Sequence, residues 1–188
     1  MQIDLARTLY ATPPTGVILI STLDDNQRNN IAPFAWWIVV SKEPPLIALS
    51  IKASTNTYRI IKATGEFTIG VPDPQLLDTV YGSAKLDREP DEFKKLGLTA
   101  LPAVKVNSPR IKECQVNIEC RYHNEIQCGD HMLVVGEAVA VDVREDIVHD
   151  DDSIMRANLT PLGHLTKNKF ITMKGSILKA SEDLTGKD

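Results

Sequence analysis

A two-residue alternation between Cys114 and His123 constrains the fold of this chain most. Cys114, Val116, Ile118, Cys120 and Tyr122 alternate with Gln115, Asn117, Glu119, Arg121 and His123. Successive side chains of a strand point to opposite faces, so one set is buried and the other is wet or paired. Residues 133–143 show the same habit, with Val135, Val139, Val141 and Val143 on one side. Residues 124–129 read as the turn between these two strands. Other strands are expected at 17–23, in the run that ends Ile38-Val39-Val40, at 46–52 and at 67–71. A helix opens after Ser54 or Thr55, either of which can cap it, and ends before Gly65. A short helix is expected at 75–81 and a helical turn or two at 91–96. Many short strands with few helices suggest a closed antiparallel barrel, because closure removes exposed edges. The 188 residues are expected to form one domain, 1–188, with a helical and irregular excursion around 72–109.

The segment after the first strand carries the chemistry. A polar turn, Asp24-Asp25-Asn26-Gln27-Arg28-Asn29, leads into Asn30-Ile31-Ala32-Pro33-Phe34-Ala35-Trp36-Trp37. Pro33 cannot donate to a sheet ladder, so the strand there should be irregular or at an edge. Unpaired backbone groups beside both tryptophans of the chain would suit a planar heteroaromatic ligand. Trp36 and Trp37 should face opposite ways. A second constellation follows the strand ending Ser50-Ile51-Lys52. The start of the next helix, with Thr55 and Thr57, can hold an anion through free N–H groups and the helix dipole.

Bulk properties exclude several function classes. A net charge of −4 argues against a nucleic-acid surface. No apolar run approaches the roughly 20 residues needed to cross a bilayer. The N-terminus lacks a basic region followed by an apolar core, so a cytoplasmic location is expected. Three cysteines without a CxxC pair support neither a disulfide framework nor a zinc site. Cys114 and Cys120 should share one face of their strand as small buried groups. His149-Asp150-Asp151-Asp152 reads as an exposed acidic turn, and no metal site is expected. A Gly-rich dinucleotide fingerprint is absent from the sequence.

Asn30-x-Ala32-Pro33-Phe34, Ser41-x-x-Pro44-Pro45, Thr57 and Thr64-Gly65-Glu66-Phe67 occur in order. They are followed by Asp91-Glu92-Phe93, Leu96-Gly97-Leu98-Thr99, Glu119-Cys120-Arg121, Gly129-Asp130-His131 and Val135-Gly136-Glu137. This ordered set, over most of residues 10–140, resembles the flavin reductase-like family of FMN-binding split barrels, which includes flavoredoxin. The resemblance implies a six-stranded antiparallel Greek-key split barrel, a homodimer, and FMN near the subunit interface. It implies an FMN-dependent oxidoreductase, either an NAD(P)H-dependent flavin reductase or a flavoredoxin-like carrier served by a protein redox partner. Asn30, Ala32, Pro33, Phe34, Ala35 and Trp36 would surround the isoalloxazine. Ser50, Lys52, Thr55 and Thr57 would hold the phosphate, and His131 would lie close to the flavin. Lys85 and Arg88 are candidate cations, although Leu86-Asp87 stands where the family often has Ser-Gly. Ala35 likewise lacks the hydroxyl that the family often carries there.

Overall fold

The computed structural model describes residues 2, 4–86, 91–175 and 178. Its centre is a sheet of seven strands in the order β2-β1-β5-β8-β9-β4-β3. These are β1 (Ile18–Leu23), β2 (Asn29–Phe34), β3 (Trp37–Ser41), β4 (Leu46–Ile51), β5 (Glu66–Val71), β8 (Val116–Cys128) and β9 (His131–Val143). Two small hairpins, β6 (Ala100–Leu101) with β7 (Arg110–Ile111) and β10 (Leu162–Thr166) with β11 (Lys169–Thr172), stand apart from it. The helices are α1 (Asn56–Thr64), α2 (Leu77–Ser83), α3 (Glu92–Leu96) and α4 (Asp152–Asn158), with 3-10 turns at Leu5–Ala11 and Pro74–Leu76. No helix among the described residues is long and apolar enough to cross a membrane.

The expected six-stranded closed barrel is corrected in two respects. One expected strand, the irregular run through Pro33 to Val40, is two strands at opposite edges of the sheet. β2 pairs only with β1, Pro33 lying opposite Leu19, and the chain then leaves that edge at Ala35 and Trp36. β3 pairs with β4 at the far edge, and the Ser50 N–H donates to the Trp36 carbonyl at 2.9 Å. No pairing among the described residues joins β2 to β3, so the sheet has two edges and does not close. Pro33 explains the break locally: it tolerates an edge and would interrupt a ladder running on in both directions.

The β8–β9 ribbon is also longer than the alternation suggested, its turn being Gly129-Asp130, with Gly129 at φ 59°. Register shifts after Glu119 and Tyr122 mark bulges, and beyond Arg121 the ribbon has left β5. Polar residues on both of its faces there made it read as a turn.

Both faces of β1 are covered, which is why Val17–Ile20 is a continuous apolar run. Ile18 and Ile20 pack with Leu49, Phe67, Ile69 and Val134, whereas Val17 and Leu19 pack with Val80, Phe93, Ile111 and Leu162. Cys120 belongs to the first cluster and Cys114 to the second, so they do not share a face. Cys114 precedes β8, and the shift at Cys120 changes the phase of the strand. Burial pushes the Cys120 thiol up to about 12 and raises that of Cys114 further, while Cys128 is exposed. The thiolate is the reactive form. Of the three cysteines, one equivalent is therefore expected to react with a thiol reagent in the native protein near neutral pH, and three after denaturation. Labelling followed by peptide mapping should place the native adduct on Cys128; modification of Cys120 would contradict the packing described.

Candidate functional site

Where the chain passes from β2 to β3 it borders a cavity of about 900 Å³. Pro33, Phe34, Ala35 and Trp36 form one stretch of wall, and Ser50, Lys52, Thr55 and His131 another. Within the second stretch, Ile51 of β4 lies opposite Met132 of β9, so Lys52 and His131 leave adjacent strand ends; the hydrogen bond from the Ser50 N–H to the Trp36 carbonyl joins that stretch to the first. Val80, Tyr81 and Ala84 contribute from α2 and the residue after it.

Lys52 and Thr55 are knitted into a tight turn at the start of α1. The Thr55 N–H and hydroxyl both donate to the Lys52 carbonyl, at 3.0 and 2.9 Å. The same hydroxyl accepts from the Tyr58 N–H at 3.2 Å, which caps the helix. The first N–H groups of a helix have no partner within it, so the α1 start presents donors and the positive end of a dipole. Gly65 closes the helix at φ 72°.

The two tryptophans separate. Trp36 lines the cavity, and its ring lies 5.1 Å from that of His131 at 47°. Trp37 stands outside the lining and donates its Nε1–H to the Gly16 carbonyl at 2.7 Å. His131 Nδ1 is 2.8 Å from Asp130 Oδ1, and this hydrogen bond chiefly holds the Asp130 carboxyl below its usual range, with a lesser contribution from the Lys52 charge.

Other sequence candidates lie outside the lining. Asn30 is buried and donates from Nδ2 to the hydroxyls of Thr22 and Thr57, both at 3.1 Å, while its Oδ1 accepts from Asn56 Nδ2 at 2.8 Å. Asn30 and Thr57 thus fasten α1 to the β1–β2 hairpin, beside a separate polar pocket of about 230 Å³. Ala32 is half-buried within β2. Lys85 sits 4.1 Å over the ring of Tyr81, which does line the cavity. Arg88 lies outside the described residues. The acidic run at His149–Asp152 reduces to a helix start: Asp151 Oδ1 accepts from the Ser153 N–H at 2.8 Å. No group of three His, Cys, Asp or Glu among the described residues could hold a metal ion.

Sequence reasoning missed the rest of the wall. It comes from Tyr10 and Thr12–Thr15 before β1, and from His164–Lys167 and Phe170 of the β10–β11 hairpin. The hairpin is tied to the segment before β1, since the Val17 N–H donates to the Leu162 carbonyl at 2.7 Å and the His164 N–H to that of Thr15 at 3.2 Å. The Thr15 hydroxyl in turn donates to the Ala35 carbonyl. The alternation of Leu162–Thr166 and Lys169–Thr172 around Lys167-Asn168 is the signal that could have revealed this hairpin.

Among the described residues, no Asp or Glu lines the cavity. Its charged or chargeable groups are Lys52, Lys167, His131 and His164. A cavity with an aromatic wall, a lysine and a donor-rich helix start can take a planar, anionic ligand. A flavin mononucleotide has those attributes, so the residues present fit the group that the sequence suggested.

Comparison with known proteins agrees. Residues 10–168 match the flavin reductase like domain. An uncharacterized protein of Archaeoglobus fulgidus is 35% identical over 133 residues, 70% of this chain and 73% of that protein. A flavin reductase of Pseudomonas putida is 29% identical over 149 residues, 79% of this chain and 82% of that one. The structure of flavoredoxin from Desulfovibrio vulgaris superposes with a TM-score of 0.81 at 30% identity, covering 100% of both chains. The match to the domain over residues 10–168, most of this chain, shows that it belongs to the flavin reductase-like family.

Proposed function

We propose that the protein is an FMN-dependent oxidoreductase that takes its electrons from NAD(P)H. The flavin supplies the redox chemistry, and the protein binds it, orients it and controls access to it. The observation that carries the reading is the cavity wall: a donor-rich, lysine-bearing helix start at one place and the Pro33–Trp36 segment at another, with no carboxylate among the described lining residues. Ser50, Lys52 and Thr55 would hold the phosphate, with the free N–H groups of α1. Pro33, Phe34, Ala35 and Trp36 would flank the ring, and His131 would sit beside it through its contact with Trp36. Asn30 and Thr57 serve this site by fixing α1 against β2 rather than by lining it.

A flavoredoxin-like electron carrier is the second reading, favoured by the likeness to flavoredoxin over the whole chain. Anaerobic mixing of the FMN-loaded protein with NADH or NADPH separates the two. Rapid bleaching of the yellow flavin supports the reductase; a stable yellow protein with both nucleotides supports the carrier. A homodimer would cover the edge strand β3, where Ile38 and Val39 are each 62% exposed beside Trp36. Sedimentation of the purified protein measures that directly.

A further inference from the structure

We infer that the turn of the β10–β11 hairpin is a second oxyanion subsite in the same cavity, where Lys167 and His164 receive a phosphoryl group of the nicotinamide nucleotide. This rests on the flavin reading above and adds to it the place of the second ligand.

Four observations point there. The cavity lysines lie apart, each beside a histidine: Lys52 with His131 at paired strand ends, and Lys167 with His164 on the hairpin. One flavin phosphate at the α1 start accounts for the first group and leaves the second over. Lys167 makes no ion pair with any described residue, and no Asp or Glu among the described residues lines the cavity beside it. At about 900 Å³ the cavity lies near the top of the range of roughly 300–1,000 Å³ typical of small-molecule sites, which leaves room beside a flavin.

The hairpin backbone adds the fourth. Lys167 takes φ 51°, in the left-handed region where glycine or asparagine is the usual occupant. Positive φ is usual in a tight hairpin turn, as at Gln27 between β1 and β2, and it sets Lys167 at the tip of this one. A His164 ring nitrogen lies 3.2 Å from the Lys167 carbonyl, and the His164 ring lies 5.1 Å from that of Phe170. The turn is therefore braced from inside, with the lysine side chain exposed at the cavity.

The test compares wild type, Lys167→Ala and Lys167→Arg as full-length, FMN-loaded proteins. The oxidised nucleotides NAD⁺ and NADP⁺, which bind without turnover, are titrated calorimetrically, and FMN affinity is measured for each protein. The inference expects Lys167→Ala to weaken nucleotide binding by about fivefold, the factor a single charge contributes in a water-rich site. FMN affinity should not change, which also shows that the variant folds, and Lys167→Arg should restore nucleotide binding. Weakening of NADP⁺ alone assigns the 2′-phosphate to this turn; equal weakening of both assigns the pyrophosphate. Nucleotide binding equal to wild type, nucleotide binding absent from the flavin-loaded wild type, or an equal loss of FMN affinity would each overturn the inference. A wild-type protein that binds no flavin would instead sink the functional reading and take the subsite with it.

Discussion

Lys52→Glu is expected to weaken FMN binding by roughly thirtyfold while leaving riboflavin binding where it was. Two unit charges 4 Å apart interact by about 1 kcal/mol in water and about 4 kcal/mol at an effective dielectric of 20. Lys52 is exposed, so the smaller figure applies. Reversing the charge changes the interaction by about two such units, and each 1.4 kcal/mol is tenfold in affinity. The fold should not suffer, because an exchange at an exposed side chain costs within about 0.5 kcal/mol. Thr55 would be a poorer probe: its hydroxyl both caps α1 and closes the Lys52 turn. Fluorescence titration with both flavins checks the expectation. A wild-type protein with equal affinity for FMN and riboflavin would place the phosphate away from α1.

Gly136→Ala should destabilise the protein by about 3 kcal/mol, the upper part of the range for overpacking a core. A Cβ at this position would lie 2.3 Å from Phe67 Cζ and 2.8 Å from Cε1. Gly136 is on β9 between Ile47 of β4 and Tyr122 of β8, so its backbone is held on both sides. Phe67 is fully buried among Ile20, Leu49 and Ile69, and its ring has nowhere to go. For a chain of this size each kcal/mol moves the melting temperature by about 2–4 °C, so a drop of about 6–12 °C is expected. Thermal denaturation followed by circular dichroism reads it. Phe67→Leu combined with Gly136→Ala should be more stable than the two single effects summed, since the variants share one contact. An unshifted Gly136→Ala melting curve would mean that β9 and β5 are not packed as described.

Elements whose hydrophobic pattern has one clear period were legible from the chain. Thr55 and Gly65 bracket α1 as their capping habits require. Pro33 marked an edge strand because the missing N–H is a local property, visible in the sequence. What was not legible depended on contacts distant along the chain. That the run through Pro33 to Val40 is shared between opposite sheet edges follows from which neighbours β2 and β3 find, and no local pattern states that. Asn30 has the hydrogen-bonding capacity to meet a flavin edge, yet its side chain is spent on Thr22, Asn56 and Thr57. The hairpin at 162–172 reaches the cavity only through its tie to the segment before β1. Trp36 and Trp37, expected to part by strand alternation, do part, but for another reason: Trp36 lies in the β2–β3 link, while Trp37 opens β3 and is hydrogen-bonded to Gly16.

That separation gives the most direct test of the central claim, that flavin occupies the cavity beside the β2–β3 link. Titration of FMN into the flavin-free protein should quench tryptophan fluorescence. The account predicts that Trp36→Phe largely abolishes the quenching and that Trp37→Phe retains it, because only Trp36 lines the cavity. Quenching that survives in Trp36→Phe and disappears in Trp37→Phe would put the flavin on the other side of the strand and contradict the site.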